Sequence, residues 1–317
     1  MATDTRAPLV SVNMPCYHQL DYARRSVAAI LAQTFTDFEL TLLDDGASDE
    51  YAAFVSSLGD SRVRYHRNPM RLGAMQNMFE AIVFGRGTYT LAFHEDDLMS
   101  RGYLAAAVAI LERHPACAFV AGHLREFHSE VSPSDLAKAG EYPEYEVFQS
   151  GAEFLRGILR GAEPMFGSVV YRRAAVAGVT PLHDEFATLV DRPFLLSVVD
   201  GGSAAVIREG LVWYRAAQAD DTRHLAMRAE HIFRLFALYK STLPQPLSPQ
   251  DAALFYGYSG YWLFRLYDLT PADARPAFRA FLFRAWREGL YQPRWRGRFG
   301  LRLIKRALLG SPTGSVS

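Results

Sequence analysis

The sequence predicts an α/β fold, a mostly parallel, doubly wound sheet followed by a helical C-terminal region. Three observations carry this. Short β-branched or apolar runs alternate with helical stretches over residues 9–122, the pattern of βαβ units. Acids close two of these runs, at Asp44–Asp45 and at Glu95, Asp96 and Asp97, where strand ends in open α/β sheets bind ligands. From about residue 226 the chain turns helical and strongly aromatic.

Taken in order, LVSVNM (9–14) reads as a buried strand. DYARRSVAAILAQ (21–33) has Val27, Ile30 and Leu31 at helical spacing, with Asp21 placed to cap it. FELTLL (38–43) is a second strand, followed by a helix from about Asp49. RVRYH (62–66), TYTLAF (88–93) and ACAFVAG (116–122) are further strands, with helices at 73–84 and 101–113 between them. Residues 123–150 are polar and read as one long loop. Beyond it come a helix (152–159), a strand (167–172), a short helix within 190–202, and an edge strand or hairpin over 204–215.

Composition narrows the class. The chain has 317 residues, half of them hydrophobic, and 34 basic against 34 acidic side chains. That is ordinary globular material, and the balanced charge gives no argument for nucleic acid as a partner. Two cysteines, Cys16 and Cys117, lie in apolar stretches and read as buried thiols of a reducing cytoplasm. Neither a signal peptide nor a membrane-spanning stretch is expected.

Adjacent carboxylates at a strand end suit a hard cation bridged to phosphate. Mg²⁺ or Mn²⁺ takes one or two carboxylates and fills its remaining positions with phosphate oxygens and water. The bland alternative is a solvated turn with a helix cap. After the first strand the chain reads PCYHQLDY, without either glycine-rich phosphate cradle, which disfavours a dinucleotide oxidoreductase or a P-loop NTPase.

Several segments in order now point one way: Pro15 and Tyr17 after the first strand, QTFTDFE (33–39), DDGASD (44–49), HRNPMRLGAMQNMFEAI (66–82), GTYTLAF (87–93) and EDD (95–97). Together they resemble the family 2 inverting glycosyltransferases with the GT-A fold, over roughly residues 9–215. The resemblance implies a nucleotide diphosphate sugar as donor and a hydroxyl acceptor. It implies that Pro15 belongs to the nucleotide-sugar site, that Tyr17 lies against the nucleobase, that Asp44 accepts a hydrogen bond from a base N–H such as N3–H of uracil or thymine, and that Asp96 contacts the ribose. Asp97 would be the direct ligand of Mn²⁺ or Mg²⁺, with Glu95 less defined, and Arg71 would approach the diphosphate.

Inverting transfer also needs one carboxylate to take the acceptor proton. The family carries it on a short helix about a hundred residues past the acidic element, where Asp191 stands in LVDRPFLL; Asp184, Glu185 and then Asp200 are the competitors. The closing segment LVWYRAAQADDTRH (211–224) resembles the family's Tyr-Arg element. Arg215 would neutralise the departing diphosphate, whereas Ala217 and Gln218 occupy the positions of an expected histidine and leave His224 further on.

Residues 273–306 hold ten basic residues against Asp273 and Glu288, a basic amphipathic pattern suited to an anionic membrane surface. The alternative is a helix packed on the catalytic domain with a solvated basic face. The expected organisation is a catalytic domain over 1–225 and a helical, basic region over 226–317. The expected function is metal-dependent, inverting transfer from a UDP or dTDP sugar to a glycan, lipid-linked or not, in polysaccharide or glycoconjugate synthesis, in the cytoplasm or at the inner face of the cell membrane. The rivals are a nucleotidyltransferase and a non-catalytic nucleotide-sugar-binding partner protein.

Overall fold

Val10, Val12 and Met14 are completely buried, as are Leu40, Leu42 and Leu91 in the neighbouring strands. Each such side chain contributes about 1.5–3 kcal/mol by leaving water, so the N-terminal strands form the middle of the core. The computed structural model describes residues 6–46, 48–138, 143–216, 229–271 and 273–292. In chain order its strands are β1 (Val10–Cys16), β2 (Phe38–Asp44), β3 (Val63–Arg67), β4 (Tyr89–Ala92), β5 (Leu98–Met99), β6 (Cys117–Gly122), β7 (Glu126–Phe127), β8 (Tyr145–Phe148), β9 (Val170–Arg172), β10 (Ser203–Ile207) and β11 (Val212–Arg215).

Eight strands form one sheet in the order β3-β2-β1-β4-β9-β6-β10-β8. β3, β2, β1 and β4 run parallel, as do β6 and β10. β9 enters antiparallel between β4 and β6, and β8 pairs antiparallel with β10. A small second sheet is centred on β11, antiparallel to β5 and parallel to β7. The parallel strands are joined through the helices Leu20–Leu31, Glu50–Leu58 and Ala74–Val83, which is the doubly wound arrangement expected.

The structure departs from three local expectations. Residues 123–150 are not one loop: they supply β7, a helical turn Pro133–Leu136 and β8. β8 finds its partner in β10, nearly sixty residues later, in register Phe148↔Ala204, a pairing without a local sequence signal. Nor is 204–215 an edge strand or hairpin, because β10 lies inside the large sheet and β11 in the small one. The first helix starts at Leu20, with Gln19 at its cap position and no side-chain cap; Asp21 sits in the first turn.

Two compact units divide the chain: 1–183 with 194–218, and 184–193 with 219–317. In the second, the helices Ala229–Thr242, Pro249–Leu269 and Arg275–Arg287 pack together. Ser248 caps the middle helix by accepting the Asp251 N–H at 3.0 Å, with Pro249 as its first residue. Among the described residues no helix is long and apolar enough to cross a membrane. Both cysteines are buried and unpaired, and burial pushes their thiols up.

Candidate active site

The carboxyl ends of β1, β2 and β4 lie side by side, Cys16 opposite Asp44 and Asn13 opposite Ala92. Asn13 turns its carbonyl to Phe93 N–H on the β4 side, and Cys16 turns its own to Asp45 N–H on the β2 side. Pro15, two residues past Asn13, therefore faces the side that β4 has already left, and its missing N–H costs no ladder bond.

His18, just beyond β1, holds φ at 80°, a left-handed conformation rare outside glycine. The backbone is pinned on both sides of it. Tyr17 N–H donates to Glu95 Oε1 at 2.9 Å, and Gln19 N–H donates to the Tyr51 hydroxyl at 3.0 Å. Tyr51 in turn donates to Glu95 Oε2. Glu95 is thus spent on the loop after β1. Burial raises its carboxyl above the ordinary value, against the hydrogen bonds from Tyr51 and Tyr17, and the Asp96 and Asp44 charges raise it further.

Asp44 and Asp45 divide their tasks. Asp44 is fully buried, accepting the Gly46 N–H at 2.8 Å on Oδ1 and the Tyr65 hydroxyl at 2.7 Å on Oδ2. A Cβ at Gly46 would lie 3.0 Å from Asp44 Oδ1 and 4.0 Å from His18 Cε1, so glycine leaves open the space beside this carboxylate that a side chain would crowd. Asp45 clamps the loop before the Ala74–Val83 helix, taking the N–H groups of Leu72 and Gly73 at 2.7 and 2.8 Å and the Asn68 amide at 3.0 Å. Burial lifts the Asp45 carboxyl, but these bonds and the Arg71 charge outweigh it and hold it below its ordinary value. The clamped loop sets Arg71 over the Tyr17 ring, 4.5 Å from its centroid. His18 also lies against that ring, at 3.9 Å between centroids.

After β4 the chain turns through His94, Glu95, Asp96 and Asp97. Asp97 is fully buried with both oxygens engaged: Oδ1 accepts the Arg215 backbone N–H at 2.9 Å, and Oδ2 lies 2.8 Å from His94 Nδ1. Asp96 is only half-buried. Burial and the Asp97 charge push its carboxyl up, against His94 and Arg215. Burial disfavours charge on His94, yet the Asp97 hydrogen bond and the surrounding carboxylates raise the imidazole above its ordinary range. Arg215 Nε donates to the Asp96 carbonyl at 3.1 Å, and its guanidinium is held between the rings of Tyr22 and Phe127, at 4.3 and 4.4 Å.

One ligand atom from each of His94, Asp96 and Asp97 lies within 4.8 Å of the others. Octahedral ligands of one small cation at about 2.1 Å sit about 3 Å apart when adjacent and about 4.2 Å when opposite, so the three atoms would draw closer to share one ion. Two carboxylates and an imidazole suit Mn²⁺, and suit Mg²⁺ less because of the nitrogen. The residues present fit such an ion. His94 was not among the residues singled out from the sequence. Its only signal there is a position directly between the strand and the acids.

Pro15, Tyr17, Asp44, Arg71, Asp96, Asp97 and Arg215 all belong to the first unit. Asp191 belongs to the second, as the first residue of the Asp191–Val198 helix, half-buried, with Arg192 Nε 3.4 Å from its Oδ2. Asp184 and Glu185 are exposed in the turn His183–Phe186. His224, Ala217 and Gln218 lie outside the described residues.

Comparison with known proteins bears on the domain that holds these residues. The sequence profile described as glycosyl transferase family 2 matches residues 11–166. An Escherichia coli UDP-Glc:alpha-D-GlcNAc-diphosphoundecaprenol beta-1,3-glucosyltransferase is 27% identical over 32% of this chain and 41% of its own. A Pasteurella multocida hyaluronan synthase is 31% identical over 30% of this chain and 10% of its own. The chain thus matches less than half the length of these curated relatives. Among solved structures, S. aureus TarS 1–349 in complex with UDP superposes with TM-score 0.52 at 14% identity, over 88% of this chain and 91% of that one. A Pyrobaculum calidifontis mannosyltransferase in complex with GDP-Man and Mn²⁺ gives TM-score 0.56 at 17% identity, over 96% and 88%. Residues 11–166, which hold the acid cluster, are thus a glycosyl transferase family 2 domain, and the fold is GT-A.

Proposed function

We propose that the protein is a metal-dependent, inverting glycosyltransferase that moves a sugar from a UDP or dTDP sugar to a hydroxyl acceptor in polysaccharide or glycoconjugate synthesis. The observation that supports this most is the gathering of Tyr17, Asp44 and Arg71 on one side of the strand ends and His94, Asp96 and Asp97 on the other, tied through the Tyr17–Glu95 bond.

In this reading Tyr17, shaped by Pro15 before it, lies against the nucleobase. Asp44 accepts the base N3–H with a lone pair not used by Gly46 or Tyr65. Arg71 leaves the Tyr17 ring for the diphosphate, and Asp96 reaches the ribose. His94, Asp96 and Asp97 would hold Mn²⁺ or Mg²⁺. When bound, that ion neutralises the diphosphate and eases its departure. Arg215, fixed by its aromatic neighbours, adds positive charge beside the leaving group.

The acceptor oxygen attacks the anomeric carbon from the face opposite the diphosphate. Its new C–O bond forms as the bond to the diphosphate oxygen breaks, and the nucleoside diphosphate departs with that electron pair. Asp191 takes the hydroxyl proton. The E. coli relative acts on a diphosphoundecaprenol-linked sugar; a lipid-linked glycan acceptor here, with a peripheral position at the inner membrane face, is part of the same proposal. Chain division near residue 225, with catalysis before it, is the accompanying reading of the domains.

The test is a thermal-shift panel of UDP, dTDP, GDP and CDP sugars with and without Mn²⁺, followed by transfer and hydrolysis assays. A ligand that binds only the native state raises the melting temperature. Mn²⁺-dependent stabilisation by a UDP or dTDP sugar, with release of the nucleoside diphosphate, is expected. No response to any nucleotide sugar would overturn the reading. Binding without turnover would leave a non-catalytic binder, and diphosphate release from a nucleoside triphosphate would point to a nucleotidyltransferase.

A further inference from the structure

We infer that the exposed face of the Arg275–Arg287 helix docks on an anionic lipid bilayer, Phe283 and Trp286 entering the interface while Arg279 and Arg287 meet the phosphates. This rests on the peripheral location proposed above and assigns it a surface.

The helix already has a buried side. Phe278, Leu282 and Ala285 are buried, with the Phe278 ring against Tyr267 and Phe281 at 5.8 and 5.6 Å. The opposite side is unusual. Phe283 is 60% and Trp286 52% exposed, and their rings lie 5.6 Å apart. Two large aromatics side by side in water are not needed to hold this helix in place, and adjacent exposed apolar groups mark contact sites.

Their neighbours define the partner. Arg279, Phe283 and Trp286 follow i, i+4, i+7 spacing and share one stripe, with exposed Arg287 beside Phe283. Arg284 is not part of the face, because it pairs with Glu230 at 2.6 Å and lies over the Phe233 ring. Between Arg275 and Arg287 no acid occurs, and residues 289–306 add six basic residues and no acid. Trp and Phe flanked by Arg is the combination that sits at the headgroup level of a membrane, the ring in the acyl boundary and the guanidinium on phosphate. No described helix is long and apolar enough to cross the bilayer, so this contact would be made from one side.

The experiment uses the full chain. Co-sedimentation is measured with phosphatidylcholine vesicles, with and without phosphatidylglycerol, for the unaltered protein, Phe283→Ala/Trp286→Ala and Arg279→Glu/Arg287→Glu. Tryptophan quenching by brominated lipid is compared between the unaltered protein and Trp286→Phe. Binding only to anionic vesicles is expected, weakening with salt. Either double variant should lower the partition coefficient by about tenfold or more, and Trp286→Phe should remove most of the quenching. Circular dichroism and the nucleotide-sugar thermal shift should be unchanged in all variants, which separates this inference from the donor site.

If the unaltered chain binds anionic vesicles and the double variants bind as well, the face is wrong and the peripheral location stands. If the unaltered chain ignores anionic vesicles, both fail. If Phe283→Ala/Trp286→Ala instead splits an oligomer that never partitions, the face belongs to a second copy of the chain, and the lipid assignment is overturned.

Discussion

Arg215 donates its backbone N–H to Asp97 Oδ1 at 2.9 Å across 118 residues of chain. With His94 on Oδ2, this leaves the adjacent carboxylates in different positions: Asp97 is locked into the fold, and Asp96 is the more open of the two.

Alanine at the two positions should therefore behave differently. Asp97→Ala strips the acceptor from a buried N–H and should cost about 1–3 kcal/mol of stability, seen as a Tm lower by a few degrees, together with loss of metal-dependent nucleotide binding. Asp96→Ala should stay within about 0.5 kcal/mol of the unaltered protein and still lose the metal dependence of UDP binding. Thermal denaturation and calorimetry with and without Mn²⁺ decide this. A destabilised Asp96→Ala beside an intact Asp97→Ala would reverse the assignment.

The imidazole should show in the choice of metal. His94→Ala should weaken Mn²⁺ binding by about 10–100-fold, and His94→Asp should bring Mn²⁺ and Mg²⁺ closer in affinity. Gly167→Ala should imitate the first, because a Cβ there would sit 2.8 Å from His94 Nδ1 and 3.0 Å from Cε1, forcing the ring away. Manganese paramagnetic resonance reads this without turnover. Mn²⁺ affinity unchanged from the unaltered protein in all three variants would remove His94 from the ligand set.

Asp45 should give the fold a carboxylate-dependent stability. Its folded pKa is depressed, so its contribution is complete above its unfolded value of about 3.9 and is lost as pH falls through the lower folded value. Asp45→Ala should cost about 2–3 kcal/mol near neutral pH. The gap between variant and unaltered protein should narrow on acidification below about pH 4. Denaturant titrations at several pH values measure it, and a gap that persists at the lowest pH would argue against a role for the charge.

Asp191→Asn should lower sugar transfer by at least about a hundredfold while nucleotide-sugar affinity stays close to normal. If Asp184→Asn or Glu185→Gln shows that pattern and Asp191→Asn transfers normally, the proton acceptor lies elsewhere in the same segment.

The residues that were legible in the sequence are those whose signal is local. Alternation around Val10–Met14 and Phe38–Leu42 marks strands, and acids directly after such runs mark a ligand-binding edge. What escaped depends on contacts between distant residues. Nothing near Tyr145 announces that β8 will pair with Ala204–Ile207. His94 carries no signal of its own beside the acids; the turn after Ala92 is what brings its Nδ1 to Asp97. Asp44 and Asp45 look alike in sequence. Only the approach of Leu72 and Gly73 shows that Asp45 holds a loop, while Asp44 meets Gly46 and Tyr65.

The aromatic clamp on Arg215 bears on how short a working fragment can be. The family match ends at residue 166, which includes the three acids as well as Tyr22 and Phe127. It lacks the arginine whose backbone closes Asp97 and whose side chain fills the gap between those two rings. A polypeptide cut there would carry every acid of the cluster, yet leave one carboxylate oxygen without its donor and two aromatic faces open to water. On a ribosome the same chain reaches that condition first: the acids emerge more than a hundred residues before Arg215, and the nascent site stays unfinished until β11 arrives.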